Sequence, residues 1–580
     1  ALPIFKELRS IQERMESGFG RNYPFHKLML VESPLSFVSF LQFWKTGSDF
    51  VQPEMVFFNE RGATLPGYVP LYRWKAMIEA REGPLDDSEK IYGVERMRLL
   101  ACGMLLQQGM YSILPMYYDY TSFLSSATYP AINMLLSEAF ALKGRLTVGR
   151  SLVRPSDIEV VECLKKKSLR EILSDDSLSD KLRVEIFKLQ GKNLASILSA
   201  FVNPDELYRF SERIASRFQF DEITFDRFAE DFQLELGLDL IPILDRVYQT
   251  VGLAILDVRD IRVEQVVTEG YPRYLLSFKV RNISDVDGVI TCVAENQTIE
   301  ELRDVYKNAI PPDLDASLKV QDYVIAAGAC KEVKFIMYGD CGYISTNLSA
   351  NLPREYYIEV VREGISKTCD QCEGIFDIDS NLFHEPGVII VDNASSQFQL
   401  VDSGQPKRLP FFAKEQKKVY KMVFDNVEWT EIITSTSYGI PVQSAFCKLA
   451  GEGNGKAIWT VNVQKAGKYE VFFYHQFLSM TGPPVSSVFT GSLLHYRICN
   501  EVLDENVVVE ADLVPEGWVS LGKFDFSVGE VQVILDDRGG NIRMDAEDQN
   551  LNVIVSSTEQ SLPKRQLIIA DAVKLVRVKE

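Results

Sequence analysis

Near residue 250 the spacing of apolar residues changes, and this constrains the fold more than any other feature of the chain. Upstream, "PDELYRFSERIASRFQFDEITFDRFAEDFQLELGLDLIPILDRVYQ" places Leu207, Phe210, Ile214 and Phe218 three or four apart, then repeats that spacing with Phe225, Phe228, Phe232 and Leu236. Such a period makes one apolar stripe on a helix, so two amphipathic helices are predicted, each with acidic residues in its opening turn. Downstream, "YLLSFKVRN", "KEVKFIMYG" and "REYYIEVV" alternate with a period of two and are separated by turn residues such as "SDVDG". That is the pattern of half-buried strands in a sandwich. From "GVIIVDN" onward a second all-β region runs to the end, with "KAIWTVNV", "GKYEVFFYH", "EVQVILDD" and "LIIADAVKLVRV" as its clearest strands.

A chain of 580 residues exceeds what one core supports, so several domains are expected. The boundaries read from the pattern are 1–250 for a mostly helical domain, 251–365 for an Ig-like β-sandwich, 366–386 for a linker and 387–580 for a second sandwich. A formal net charge of -19 argues against nucleic acid as a partner, because phosphate contacts need a basic face. No apolar run is long enough for a membrane-spanning helix. The chain starts at Ala1 without a basic-then-apolar leader, so a removed signal or a longer parent chain is expected.

Three stretches in order resemble the gluzincin aminopeptidases, in particular a bacterial branch fused to transporter-permease helices: "FGRNYPFHKLMLVESP", "TGSDFVQPEMVFFNERG" and "MLLSEAFALKG". "YISTNLSANLP" is similar to the domain that follows the peptidase domain in that branch. "VIIVDNASSQFQLVDSG", "AIWTVNVQKAGKYEVFFYH", "GWVSLGKFDFSVGEVQVILDD" and "IIADAVKLVRV" resemble the golvesin or xanthan-lyase C-terminal domain, a carbohydrate-binding-like β-sandwich. The resemblance implies a multidomain α+β chain: a mostly helical, thermolysin/gluzincin-like N-terminal domain followed by two antiparallel β-sandwiches.

The chemistry of that family is missing from the sequence. Its zinc site needs H-E-x-x-H, two imidazoles on one helix face with a glutamate as general base. The corresponding stretch, "RMRLLACGMLLQQGMYS", puts Ala101 and Leu105 at the ligand positions and Cys102 at the base position. "IFKLQGKNL" lacks the family's transition-state tyrosine, and the substrate-recognising "GxMEN" is absent. Glu138, in "MLLSEAFALKG", matches the last zinc ligand but is a weak metal candidate, since a lone carboxylate holds zinc poorly.

No catalytic residue and no cofactor are therefore expected. The function implied is that of a non-catalytic, peptidase-like cell-envelope protein, an interaction or assembly subunit of a membrane-associated complex. Its place is exported, periplasmic or at the surface of a bacterium, and its membrane association runs through a partner or a segment missing from this chain. Envelope or membrane proteins are the expected partners. Two alternatives stand beside it: a peptidase with an unrecognised zinc site, and a glycan-binding surface protein.

For the glycan reading, Trp459 and Trp518 are the candidate platform, although their strand context suits a core position equally. Cys369 and Cys372 form a C-x-x-C suited to a disulfide, to free thiols or to redox work, and Cys330 is placed to bridge Cys341 or Cys292. His475 and His495 lack an adjacent nucleophile. "GEGNGKA" runs into a strand and is predicted to be a loop, and "DDRGGN" a turn, rather than phosphate or calcium sites.

Overall fold

The computed structural model describes residues 29–33, 55–59, 122–140, 155–218, 221–268, 271–295, 318–337, 341–359, 367–368, 372–383, 387–401, 428–476, 488–489, 493–539 and 565–578. The chain divides into two compact units, Ala1–Thr147 with Lys167–Val251, and Val148–Lys166 with Gly252–Glu580. The zinc-helix positions Ala101, Cys102 and Leu105 lie outside the described residues.

In the first unit, β1 (Met29–Ser33) pairs in parallel with β2 (Met55–Asn59), and β3 (Ser122–Ser125) with β4 (Asp221–Thr224). The helices are α1 (Ile132–Phe140), α2 (Pro155–Leu164), α3 (Leu169–Leu173), α4 (Asp180–Phe201), α5 (Pro204–Arg217), α6 (Phe225–Leu236) and α7 (Leu240–Gln249), of which α2 belongs to the second unit. Their ends follow local chemistry. Ser168 and Glu171 form a reciprocal capping box on α3, Asp239 accepts the Ile241 N–H at the start of α7, and Gly237 closes α6 with a φ of +69°.

The predicted apolar stripes are the buried faces. Leu207, Phe210 and Ile214 on α5 and Phe225, Phe228 and Phe232 on α6 are all buried. Phe210 meets Phe232 at 5.1 Å and Phe228 at 5.6 Å, while Phe140 of α1 closes on Phe210 at 6.4 Å. Such tilted and edge-on pairs add to the area they bury. Asn133 ties α1 to β3 by donating to Leu124 O at 2.7 Å and accepting the Leu124 N–H at 2.9 Å.

One expectation is overturned. The chain is not built on a mostly helical thermolysin/gluzincin-like domain: among the described residues it is predominantly β, 46% strand against 26% helix, with many antiparallel sheets. The seven α-helices of the described residues lie between Ile132 and Gln249, and short parallel strand pairs share the first unit with six of them. A period of 3.6 reports which face of a segment is covered and carries no information on what covers it. The helical pattern of residues 204–249 therefore held no record of the parallel strand pairs β1-β2 and β3-β4.

In the second unit, the first sandwich stacks the sheet β11-β10-β7-β8 on the sheet β12-β5-β6-β9-β13. These strands are β5 (Leu256–Thr268), β6 (Tyr271–Asn282), β7 (Gly288–Glu295), β8 (Leu318–Ile325), β9 (Cys330–Met337), β10 (Cys341–Ser345), β11 (Glu355–Glu359), β12 (Lys367–Thr368) and β13 (Gly374–Asp377). Alternate residues such as Leu276, Phe278 and Val280 of β6 and Ile290, Cys292 and Ala294 of β7 fill the space between the sheets. Segment 366–386 contributes the edge strands β12 and β13, whose backbones pair with β5 and β9.

The remaining strands form three sheets, β14-β26-β19-β23, β15-β18-β24-β21-β22 and β16-β17-β25-β20. They are β14 (Val388–Val391), β15 (Phe398–Val401), β16 (Thr430–Ile433), β17 (Ser444–Leu449), β18 (Lys456–Val463), β19 (Gly467–His475), β20 (Val488–Phe489), β21 (Leu493–Cys499), β22 (Asp504–Glu510), β23 (Gly517–Phe526), β24 (Gly529–Asp536), β25 (Arg565–Ala570) and β26 (Val573–Arg577). The strict alternation of β18 and β19 sends Trp459, Val461, Val471 and Phe473 into one core.

Glu138 sits in the middle of α1 with 8% of its surface exposed, facing α4 where that helix carries Gly191. A Cβ on Gly191 would stand 2.5 Å from Glu138 Cβ and 2.9 Å from Leu135 O. The Gly191→Ala variant should therefore lose about 1–3 kcal/mol in chemical denaturation, although alanine in a helix is ordinarily the better residue. Burial pushes the Glu138 carboxyl up from its ordinary value, partly offset by Lys192 and Lys188. A carboxyl with a raised folded-state pKa binds its proton more tightly when folded, so its contribution to stability declines as pH rises from the ordinary carboxylate range through that raised value. Glu138→Gln should flatten this slope in melting curves recorded across acidic to neutral pH, and raise the melting temperature at neutral pH.

Candidate functional site

The two tryptophans singled out in the sequence have opposite placements. Trp459, on β18, is 1% exposed and donates its Nε1–H to Asp571 O at 3.1 Å. A ring buried this far offers no face to a dissolved sugar. Trp518, near the start of β23, is half-buried on the outer face of the β14-β26-β19-β23 sheet.

Register assembles an aromatic surface around Trp518. Tyr474 lies opposite Trp518 on β19, and Phe472 lies opposite both Ser520 of β23 and Lys574 of β26. Residues two apart on a strand share a face, so Phe472 and Tyr474 point the same way. The Tyr474 and Tyr438 rings each stand 5.1 Å from Trp518, both edge-on, and Tyr438 meets Tyr474 at 5.5 Å. The Lys574 ammonium lies 4.5 Å from the Trp518 ring centre and 5.0 Å from that of Phe472. Polar groups border the rings: Ser520 Oγ donates to Glu470 at 2.8 Å, with Lys523 Nζ 3.8 Å from the same carboxylate.

Beneath this surface is a polar seam. Asp571 occupies the two-residue crossing between β25 and β26, which belong to different sheets, and is 2% exposed. Its Oδ2 accepts the Tyr438 N–H at 3.0 Å and a Gln476 Nε2–H at 2.9 Å. Gln476 Oε1 in turn accepts from Thr434, Thr436 and Ser437 hydroxyls, each at 3.2 Å. Burial holds the Asp571 carboxyl well above the usual carboxylate range; the Tyr438 N–H opposes this and Asp392 reinforces it. Burial also pushes Asp392 up to about 7, against the opposing backbone N–H groups of Asn393 and Ala394.

Other residues marked in the sequence have structural roles. His475 is buried on β19 and His495 is on β21 of a different sheet, so the two are not brought together. Burial lowers the His475 pKa, opposed by Glu516, the Ala511 backbone and Asp512. Cys372 is disulfide-bonded and packs against Val266, Leu275 and Ile336, whereas Cys369 lies outside the described residues. Cys330 and Cys292 are both thiols, which rules out the bridges from Cys330 to Cys292 or Cys341. Burial pushes the Cys292 thiol well above its ordinary value and Cys447 up to about 12, so neither is a nucleophile.

The "GEGNG" loop wraps a buried ion pair that sequence reasoning missed. Lys448 Nζ meets Asp537 Oδ2 at 2.6 Å with both side chains buried, and Asp537 Oδ1 accepts the Gly453 N–H at 2.6 Å. Cβ atoms on Gly451 or Gly455 would each stand 2.6 Å from Asp537 Oδ2. Bare backbone is thus required for the loop to close over the carboxylate. The run of three glycines was the visible signal, but it identified no partner.

No family model matches the chain, and no curated protein matches it. Among solved structures it is similar to a Paenibacillus xanthan lyase, at 13% identity over 56% of this chain with a TM-score of 0.21. A Podospora anserina GH26-CBM35 β-(1,4)-mannanase matches at 9% identity over 34% of this chain and 29% of its own, with a TM-score of 0.15. An Arthrobacter globiformis T6 isomalto-dextranase complexed with panose matches at 10% identity over 61% of this chain and 45% of its own, with a TM-score of 0.17. The chain spans 26% of the length of the xanthan lyase. These neighbours are carbohydrate-active enzymes, but TM-scores this low give no basis for assigning fold or function.

Removing one half of a buried ion pair strands the other. Lys448→Met should cost about 3–5 kcal/mol in urea unfolding, and adding Asp537→Leu to that variant should recover most of the loss.

Proposed function

We propose that this protein is a non-catalytic glycan-binding protein whose last sandwich takes a saccharide on the Trp518 face. The observation that carries this reading is a half-buried indole on an outer sheet face, flanked by Tyr438 and Tyr474 at 5.1 Å. Core formation does not require those rings there, since the interior of this sandwich is filled by Trp459, Val471, Phe473 and their neighbours. Rigid aromatic side chains supply apolar contact area at small entropic cost, which suits the C–H faces of sugar rings. The tyrosine and Ser520 hydroxyls, the Glu470 carboxylate and the Lys574 ammonium are the hydrogen-bonding groups of this face for sugar hydroxyls.

In this reading the protein works outside the cytoplasm, at a bacterial envelope or surface, alongside envelope or membrane proteins. The disulfide at Cys372 supports that location, because disulfides persist in oxidising compartments. Among the described residues no helix is long and apolar enough to cross a membrane.

The test is a glycan array followed by titration of the binding saccharides, with tryptophan fluorescence as the readout. Trp518→Ala should weaken binding by at least about tenfold, a loss of about 1.4 kcal/mol, while leaving the fold intact by circular dichroism. Trp459→Ala is the contrasting variant: emptying a core site should cost about 3–5 kcal/mol of stability. An array with no binding saccharide, or a Trp518→Ala protein that binds as the parent does, would overturn the proposal.

A further inference from the structure

The loop that carries Tyr438 is held by the first sandwich as well as by its own. Leu352, in the connection between β10 and β11, pairs with Val442 of the last sandwich. Its N–H donates to Pro441 O at 3.0 Å, and its carbonyl accepts the Gln443 N–H at 2.7 Å. Val442 in turn backs onto Gly439: a Cβ on Gly439, whose φ is +128°, would stand 2.5 Å from Val442 O. Only glycine permits this approach, and the residue before it is Tyr438. The route from Leu352 to the Tyr438 backbone thus runs through main chain alone.

Leu352 is a firm anchor because its own loop is fastened to the first sandwich. Asn351, 2% exposed, pairs with Leu256 of β5 as a neighbouring strand would, accepting its N–H at 2.9 Å and donating to its carbonyl at 2.8 Å. The Ala350 N–H donates to Ala254 O at 2.8 Å, and the Thr346 N–H closes the loop on Arg354 O at 2.8 Å. Thr346, Ser349, Ala350 and Leu352 are all buried. On the other side, the Tyr438 N–H stays fastened to Asp571. Buried backbone groups with their partners in place leave these loops no slack, so a displacement at residues 441–443 passes to 438 and 439 instead of being absorbed.

We propose that the aromatic face is a two-sandwich site, in which Asn351 and Leu352 of the first sandwich are positioning residues for the Tyr438 ring against Trp518. Asn351 fixes Leu352, Leu352 fixes Val442, and Val442 against Gly439 sets where Tyr438 presents its ring. A saccharide gains from this because a ring already held in place loses less freedom on binding. The effect on affinity rests on the saccharide reading; the coupling between the two loops does not. Such coupling is reciprocal, so loosening either loop loosens the other.

The experiment is residue-resolved amide hydrogen exchange on the full chain without saccharide, followed by titration of the saccharides that bind on the array. Asn351→Ala strands the Leu256 N–H and carbonyl, and should speed exchange across residues 434–443 by at least about fivefold, the equivalent of one hydrogen bond. Gly439→Ala works from the other side and should speed exchange of the Leu352 N–H, while the Ala350 N–H, bonded within the first sandwich, keeps its parent rate. Leu276→Ala is the control: it empties a core position of the same sandwich opposite Val263, further along β5 from Leu256, and should leave 434–443 at the parent rate. Saccharide binding should weaken about three- to tenfold in Asn351→Ala and stay unchanged in Leu276→Ala. Should Asn351→Ala fail to fold, exchange at Leu352 in Gly439→Ala decides the matter. Parent-like exchange over 434–443 in Asn351→Ala, or an equal rise in Leu276→Ala, would refute the coupling. Faster exchange in Asn351→Ala but not in Leu276→Ala, together with an array that shows no binding saccharide, would uphold the coupling and sink the saccharide reading alone.

Discussion

The last sandwich depends on how the chain passes from one sheet to another at Asp571. Within two residues, Asp571 and Ala572, it leaves the β16-β17-β25-β20 sheet and joins the β14-β26-β19-β23 sheet. A crossing this abrupt exposes backbone polar groups in the interior, where each must find a partner. The third sheet supplies one through Trp459, whose indole N–H satisfies the Asp571 carbonyl, and the Tyr474 N–H satisfies that of Ala572 at 2.9 Å. The Asp571 side chain then fastens Tyr438 and Gln476. One residue thereby fixes the largest ring of the core and the loop that carries the surface aromatics.

Two buried carboxylates in this sandwich are handled differently. Asp537 has the Lys448 ammonium and a glycine loop folded over it, so its charge is matched inside the protein. Asp571 has neutral donors on one oxygen and none on the other. The difference follows from position: Asp537 lies at the end of β24, where a strand of the adjacent sheet brings a lysine alongside, while Asp571 lies in a crossing with a second acid nearby. The first arrangement matches a charge with a charge, whereas the second satisfies one carboxylate oxygen with neutral donors alone.

Much of the local architecture was legible beforehand. The stripes of α5 and α6 and the alternation of β18 and β19 turned out to be the buried faces, because burial of one side of a regular element imposes its period on the sequence. The loop nature of "GEGNGKA" was legible too, but not its reason, since Asp537 lies more than eighty residues downstream. The mostly helical N-terminal architecture was not borne out: the chain is predominantly β among the described residues, and the helical period of residues 204–249 held no record of the parallel strand pairs β1-β2 and β3-β4. The site itself was half legible. Trp459 and Trp518 occur in similar strand contexts, and only the direction of the pleat relative to the core separates them.

By itself, then, the sequence determined the type of most elements and the face each would bury, because those depend on propensities and spacings within a few residues. Tertiary structure alone decided which tryptophan is core and which is surface, that Asp537 has a basic partner, and that Asp571 holds the backbone of Tyr438. Those are consequences of contacts across many tens to more than a hundred residues of chain, set by strand order and register, for which a local pattern holds no record.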